Sequence, residues 1–172
     1  MSLRKPFNFQ RWIDDNRHLL KPPVGNQQVY LENEDFIVMV VGGPNGRKDY
    51  HFEDGEELFY QVEGDITLKI INEDGTPEDI SIKEGEMFLL PPRIPHSPQR
   101  PAGTVGLVIE RYRQGDEKDK LMWFCENCNH KLHEATFEMT DIVKQLPVVI
   151  NRFMESEELR TCDNCGAVME KA

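Results

Sequence analysis

Long hydrophobic runs are missing from this chain. Charged residues make up 30% of it and break the apolar ones into short pieces, so no stretch is long enough to cross a bilayer. The basic residues of the opening MSLRKPFNF are not followed by an apolar segment, so nothing reads as a secretory signal and a cytoplasmic location is expected. Positive charge is also scarce. Twenty Lys and Arg against 31 Asp and Glu leave a net charge of −11, which argues against nucleic acid or an anionic membrane as partner, because phosphate binding needs clustered basic side chains. A small anionic ligand remains open wherever a few arginines converge. At 172 residues the chain has room for one domain with a proper core and a small appended module, not for two enzymatic domains. There is no internal repeat and no low-complexity tract. Cysteine is limited to four residues, yet these fall into two C-x-x-C pairs, Cys125/Cys128 and Cys162/Cys165. In a reducing compartment that spacing reads as a metal site before a disulfide framework.

What is present has a clear order. Asn8 can cap a short amphipathic helix with Phe9, Trp12, Ile13 and Leu20 on one face, stopped by Lys21-Pro22-Pro23. From Val29 to Tyr112, short β-rich runs (FIVMVV, ELFYQV, ITLKII, MFLL, TVGLVIERY) alternate with turn signals (GGPNG, EDG, NEDG, KEG, PPRIP). This rhythm predicts an all-β sandwich or barrel of antiparallel strands. The polar stretch RQGDEKDK, residues 113–120, reads as a linker. Beyond it, Thr140 or Asp141 is expected to cap a helix, and Pro147 to start a second one that uses Ile150 and Phe153.

The stretch DYHFEDGEELFYQVEG, residues 49–64, carries one histidine and six carboxylates. If FEDGEE is a tight connection, His51 closes one strand and Glu57 opens the next, so the two side chains can meet, while Glu56 points the other way. Glu53, Asp54 and Glu56, grouped around Gly55, are most simply solvated. A second histidine, His96, follows GEMFLL, which reads as a turn into a buried strand, and is held in a backbone stiffened by Pro91, Pro92 and Pro95. Arg47, Asp49 and His51 share strand parity, so a long guanidinium at position 47 can reach over a site at His51 from roughly 13 Å away, at ~3.3 Å per residue. Arg100 follows His96 within the same proline-bounded segment. Glu110 shares a strand face with Gly106 and Val108, which places it either at the wet end of the strand or buried with a partner.

These residues fall into two recognisable patterns. H-x5-E-x6-G, from His51 to Gly64, resembles the first cupin motif, and G-x5-P-x-R-x2-H-x3-R, from Gly85 to Arg100, resembles the second. Asp49 stands where many cupins have another histidine, Arg93 where they have glycine and Arg100 where they have asparagine. Longer stretches, LLKPPVGN, VVGGPNGRKDYH, ELFYQ, FLLPP, PHSPQRP and LVIER, together with the C-terminal cysteine pairs, resemble the 3-hydroxyanthranilate 3,4-dioxygenase family. Gly46 departs from a larger polar residue that is usual there.

The resemblance implies a cupin double-stranded β-helix, or jelly-roll barrel, with an N-terminal helix over residues 1–113, and a small, largely helical four-cysteine extension packed on it over 114–172. It implies that His51, Glu57 and His96 hold a catalytic Fe(II), a ligand set that suits non-haem iron. Arg47 and Arg100 resemble the family's carboxylate-binding arginines, Glu110 the acid that contacts bound substrate, and Asn26 and Ile142 pocket-lining positions. The activity implied is extradiol-type cleavage of 3-hydroxyanthranilate by O2 to 2-amino-3-carboxymuconate semialdehyde, which cyclises to quinolinate. That places it in the kynurenine pathway of tryptophan catabolism or NAD biosynthesis, in a homodimer. Asp49 is a candidate for orienting Arg47 or a ligand, or a solvated acid.

Four thiolates in this pattern make a tetrahedral site for zinc or iron. The family suggests a rubredoxin-like iron, and zinc fits the residues equally well. Residues 114–172 hold seven Lys and Arg against twelve Asp and Glu, so a nucleic-acid-binding zinc ribbon is disfavoured and a structural clip is expected. His18, His130 and His133 read as surface or packing histidines. Two other functions compete: a cupin isomerase or a dioxygenase for another aromatic acid, which need not use both arginines and Glu110, and a ligand-sensing or electron-transfer protein built around the cysteines.

Overall fold

The computed structural model describes residues 3–22, 25–32, 35–139 and 142–171, with the side chains of residues 142–144 excepted. The opening helix, α1, runs Phe9–Asn16, and the side chain of Asn8 accepts the backbone N–H of Arg11 at 2.8 Å, as an N-cap should. Ile13 is its buried residue; Leu20 belongs to the turn that follows, and both pack against Val40 and Val105 on the barrel.

Eleven strands follow among the described residues: β1 Asn26–Gln28, β2 Phe36–Gly42, β3 Tyr50–Phe52, β4 Glu57–Glu63, β5 Ile66–Ile71, β6 Pro77–Ile82, β7 Met87–Leu90, β8 His96–Gln99, β9 Val105–Arg111, β10 Asp119–Phe124 and β11 Lys131–Phe137. They form two antiparallel sheets, ordered β1-β2-β9-β4-β7 and β11-β10-β3-β8-β5-β6. Alternation along β2, β4, β5 and β9 turns Ile37, Met39, Phe59, Ile66, Leu68, Ile70 and Val108 into one core between the sheets. This is the cupin double-stranded β-helix.

Several local expectations need correction. The strand in GEMFLL, β7, is buried only at Leu90: it is an edge strand, and Met87 and Leu89 face solvent. The stretch 113–120 is not a loose linker. Asp119 is fully buried and opens β10, which pairs with β3 through Leu121 opposite His51. The second sheet therefore continues past residue 113, and the extension begins as a strand of the barrel, then returns as β11.

After β11, helix α2 spans Ile142–Glu155 and α3 spans Glu157–Arg160. Pro147 lies inside α2 rather than at its start. The ring forfeits one backbone bond, and the helix persists because its Phe153 stacks on Trp123 at 4.2 Å, with Leu146, Val149 and Ile150 packed around them. Thr140 and Asp141, expected as helix caps, lie outside the described residues.

Candidate active site and cysteine cluster

Register places the site. His51 on β3 is paired directly with His96 on β8, so both rings point to the same face. In the other sheet, Glu57 pairs with Glu110, Phe59 with Val108 and Gln61 with Gly106, which gives an inward-facing row with acids at one end and an amide at the other. One ligand-capable atom from each of His51, Glu57 and His96 lies within 4.8 Å of the others, and all three residues are buried. Strand parity from the sequence thus selected Glu57 over Glu56, which is exposed.

The donor chemistry of this trio suits a divalent metal. His96 Nδ1 donates to the carbonyl of Ile94 at 3.0 Å, which leaves the lone pair on Nε2. That nitrogen sits 2.7 Å from Glu57 Oε2, yet without hydrogen-bond alignment, and the oxygen has no hydrogen-bond partner among the described residues. A buried carboxylate oxygen facing an imidazole lone pair is what a shared cation would resolve. Without a metal a proton on Nε2 serves instead: burial opposes the charged form of both groups, but the attraction of imidazolium for carboxylate outweighs it, holding His96 above and Glu57 below the usual range.

A cavity of about 520 Å³ opens over the trio, within the range of small-molecule sites. Asn26, Arg47, Arg100 and Glu110 all line it, as the sequence led one to expect, among apolar walls from Met39, Val41, Phe59 and Val108. Leu146, Pro147 and Ile150 of α2 close one side. The sequence reads Pro147 and Ile150 only as parts of a helix and does not single out Leu146, since nothing local says that α2 lies over the barrel mouth. Ile142 opens α2, with its side chain outside the described residues.

The two arginines are in different electrostatic states. Arg47 is tied to Asp49, which accepts from its Nε at 3.1 Å and from Nη2. Asp49 is fully buried, so it orients Arg47 and is not a solvated acid. Burial works against the Arg47 charge, and Asp49 more than restores it. Arg100 is 3% exposed, and no ion pair among the described residues includes it. Its Nη1 reaches only the amide oxygen of Gln61, at 3.4 Å, and its Nε has no partner. Burial pushes its pKa down to about 10. An unpaired guanidinium in a cavity wall is a receptor for an anion.

Glu110 is buried with a partner rather than at a wet end: its Oε2 lies 3.2 Å from Arg113 Nη1, while Oε1 is unpartnered. Glu53, expected to be solvated, is 4% exposed and shares that guanidinium at 3.1 Å. Burial, then the neighbouring Glu110, pushes its pKa up to about 10. Of the other turn acids, Asp54 meets Arg93 Nε at 2.7 Å. Arg93 has φ +64°, the left-handed conformation for which glycine is the usual choice.

The four cysteines come together at the far end of the extension. Sγ to Sγ distances of 3.6 Å for Cys125–Cys165 and for Cys128–Cys162 are far beyond a disulfide and close to the ~3.8 Å edge of a tetrahedron with metal–sulfur bonds of about 2.3 Å. Two like turns hold them. Cys125 N–H donates to His130 O and Cys162 N–H to Ala167 O, each at 2.8 Å, with Asn129 and Gly166 in the left-handed conformation that the turns require. Asn127 and Asn164 each donate at 3.5 Å to a sulfur of the opposite pair, and the Asn127 bond leads the effects that bring Cys165 down to about 6. His133 packs against Trp123 and Phe153, and His18 and His130 are exposed. Cys162→Ser should remove one equivalent of bound metal and more than about 2 kcal/mol of stability. In a chain of this size that lowers the melting temperature by roughly 4–8 °C, readable by calorimetry beside metal analysis.

Comparison with known proteins decides the family. The family model for 3-hydroxyanthranilic acid dioxygenase matches residues 1–154, nearly the whole chain. The chain belongs to this family. A 3-hydroxyanthranilate 3,4-dioxygenase of Xanthomonas euvesicatoria is 54% identical over 161 residues, covering 94% of this chain and 90% of the relative. One from Paraburkholderia phytofirmans is also 54% identical, over 98% of this chain and 96% of its own length. Among solved structures, a cupin-2 domain protein from Shewanella frigidimarina aligns with a TM-score of 0.46 and 19% identity, over 59% of this chain and 92% of that one. Among its described residues, this 3-hydroxyanthranilic acid dioxygenase family member has three groups that could hold a metal: the four cysteines, the His51, Glu57 and His96 trio, and Glu53, Glu57 and Glu110, which share Glu57 with that trio. No helix of the described residues is long and apolar enough to cross a membrane.

Proposed function

We propose that this chain is an enzyme that opens the aromatic ring of 3-hydroxyanthranilate with O2, giving 2-amino-3-carboxymuconate semialdehyde, which cyclises to quinolinate. One observation carries this reading: a buried guanidinium, Arg100, with no ion pair among the described residues, lines the same cavity as His51, Glu57 and His96. The substrate is an aromatic acid whose carboxylate answers that charge, and whose adjacent hydroxyl and amino groups suit two open positions on a metal. Held by His51, Glu57 and His96, Fe(II) would supply a Lewis-acid anchor for the substrate and the redox partner that O2 needs.

The chain's own residues do the rest. Arg100 and Arg47 take the carboxylate and fix the plane of the ring, where small misplacement lowers the rate steeply. Glu110 Oε1, free of partners, accepts a proton or hydrogen bond from the substrate as it binds. Asn26 and the α2 side chains shield the site from water. Gly106 is needed for the arginine's position: a Cβ there would come within 2.6 Å of Arg100 Nη1 and 2.8 Å of Gln61 Oε1. Gly106→Ala should therefore push the guanidinium aside and lower kcat/KM on the order of 100-fold, with metal content unchanged.

In this reading residues 1–113 carry the metal trio and most of the barrel, and 114–172, which add β10 and β11 to its second sheet, form an extension clipped by iron or zinc at the four cysteines. The setting is the cytoplasm, as a homodimer in the kynurenine pathway of tryptophan catabolism or NAD biosynthesis. Anaerobic reconstitution with Fe(II), addition of 3-hydroxyanthranilate and then air tests the reaction. Near-UV absorbance of the semialdehyde should appear in proportion to iron and decay to quinolinate. Iron bound at the trio with no product would overturn the substrate assignment.

A further inference from the structure

The stretch mistaken for a linker holds side chains that the family resemblance does not assign. Asp119 is fully buried, two residues before the point where β10 pairs with His51, and on the same inward face. Its Oδ2 lies 2.6 Å from His51 Nε2. The same carboxylate accepts from Arg113, at 2.7 Å from Nε to Oδ1 and again from Nη2 to Oδ2. The other nitrogen of that guanidinium, Nη1, sits 3.1 Å from Glu53 and 3.2 Å from Glu110. Arg113 thus joins the acid behind one candidate ligand to the acid proposed to meet the substrate.

We propose that Asp119, clamped by Arg113, is a positioning residue for the barrel metal: it accepts a hydrogen bond from the Nε2–H of His51 and so turns the Nδ1 lone pair to the metal. This rests on His51 being a ligand. Asp119 touches His51 yet contributes no atom to the group that His51, Glu57 and His96 form within 4.8 Å, which fits a carboxylate acting through the imidazole and not on the metal. An ion pair is needed there because a lone buried carboxylate would take up a proton and lose its acceptor strength. The fork of Arg113 fixes both oxygens, and with them the plane of the imidazole.

Asp119→Asn keeps the shape but offers one acceptor oxygen to donors on two sides, so either His51 or Arg113 is left facing an N–H. The test loads the four cysteines with zinc, then titrates the barrel site with Co(II) against a competing chelator and records the hyperfine-shifted, solvent-exchangeable imidazole protons. The expected result for Asp119→Asn is a 10- to 100-fold loss of Co(II) affinity, about the range for such outer partners, and loss or fast exchange of one imidazole N–H signal. Arg113→Lys, which keeps the charge without the fork, should fall between this variant and the wild type. Wild-type affinity and an unchanged signal in Asp119→Asn would overturn the proposal, as would a lower melting temperature of the metal-free protein with affinity intact. His51→Ala is the control for the reading beneath it: Co(II) binding as tight as wild type would remove His51 as a ligand, whatever Asp119 does.

Discussion

His96→Ala is expected to leave the barrel without its metal and to slow turnover of 3-hydroxyanthranilate by more than about 100-fold, the upper end of what losing a mere outer partner of a metal ligand costs. The ring is 2% exposed, opens β8 and is fixed in one tautomer by the Ile94 carbonyl, so no water-exposed group can take its place. Its removal also leaves Glu57 Oε2 facing a void, where an ionised carboxylate without cation or donor is unfavourable and will take up a proton. Metal analysis before and after substitution should show one equivalent lost from the barrel and the cysteine site still filled. That second site is an internal control, because a variant that had simply unfolded would lose both. A variant that turned over at the normal rate would sink the trio assignment.

The parts of the molecule legible in the sequence are the short β-rich runs set between turn signals. FIVMVV, ELFYQV, ITLKII and TVGLVIERY form β2, β4, β5 and β9, although the inward rows of β4 and β9 also carry Glu57, Gln61 and Glu110 beside Phe59 and Val108. The ligand-bearing strands β3 and β8 are only three and four residues long, too short for any periodicity, and were reached through parity, prolines and motif. What stayed hidden is buried charge. Arg113, Asp119 and Glu53 look solvated in a sequence because each is ionisable, yet Arg113 and Asp119 pair inside the barrel and Glu53, beside the same guanidinium, is driven by burial towards its neutral form. RQGDEKDK therefore reads as a linker although it is a seam. Pro147 misled for a related reason: helix rules are local, and the packing of Phe153 on Trp123 that sustains α2 through the proline is not.

Arg100→Met is expected to lower kcat/KM for 3-hydroxyanthranilate by roughly 30- to several-thousand-fold, from the about 2–5 kcal/mol that follows truncation of one partner in a buried charge pair. The loss should appear mainly in KM if the guanidinium holds the carboxylate equally in the bound complex and the transition state. Stability should move the other way. In the ligand-free protein Arg100 is buried without an ion-paired carboxylate among the described residues, with Nε unpartnered, and burial holds its pKa down to about 10 against the attraction of Glu57, so the folded state carries an under-compensated charge. Methionine fills similar space without it, and the melting temperature of the substrate-free enzyme should stay level or rise. A residue that merely braced the barrel would give the reverse pattern, lower stability with KM unchanged, and that outcome would remove Arg100 from substrate recognition. Gain in stability together with loss of binding is the signature of a charge kept buried for its ligand.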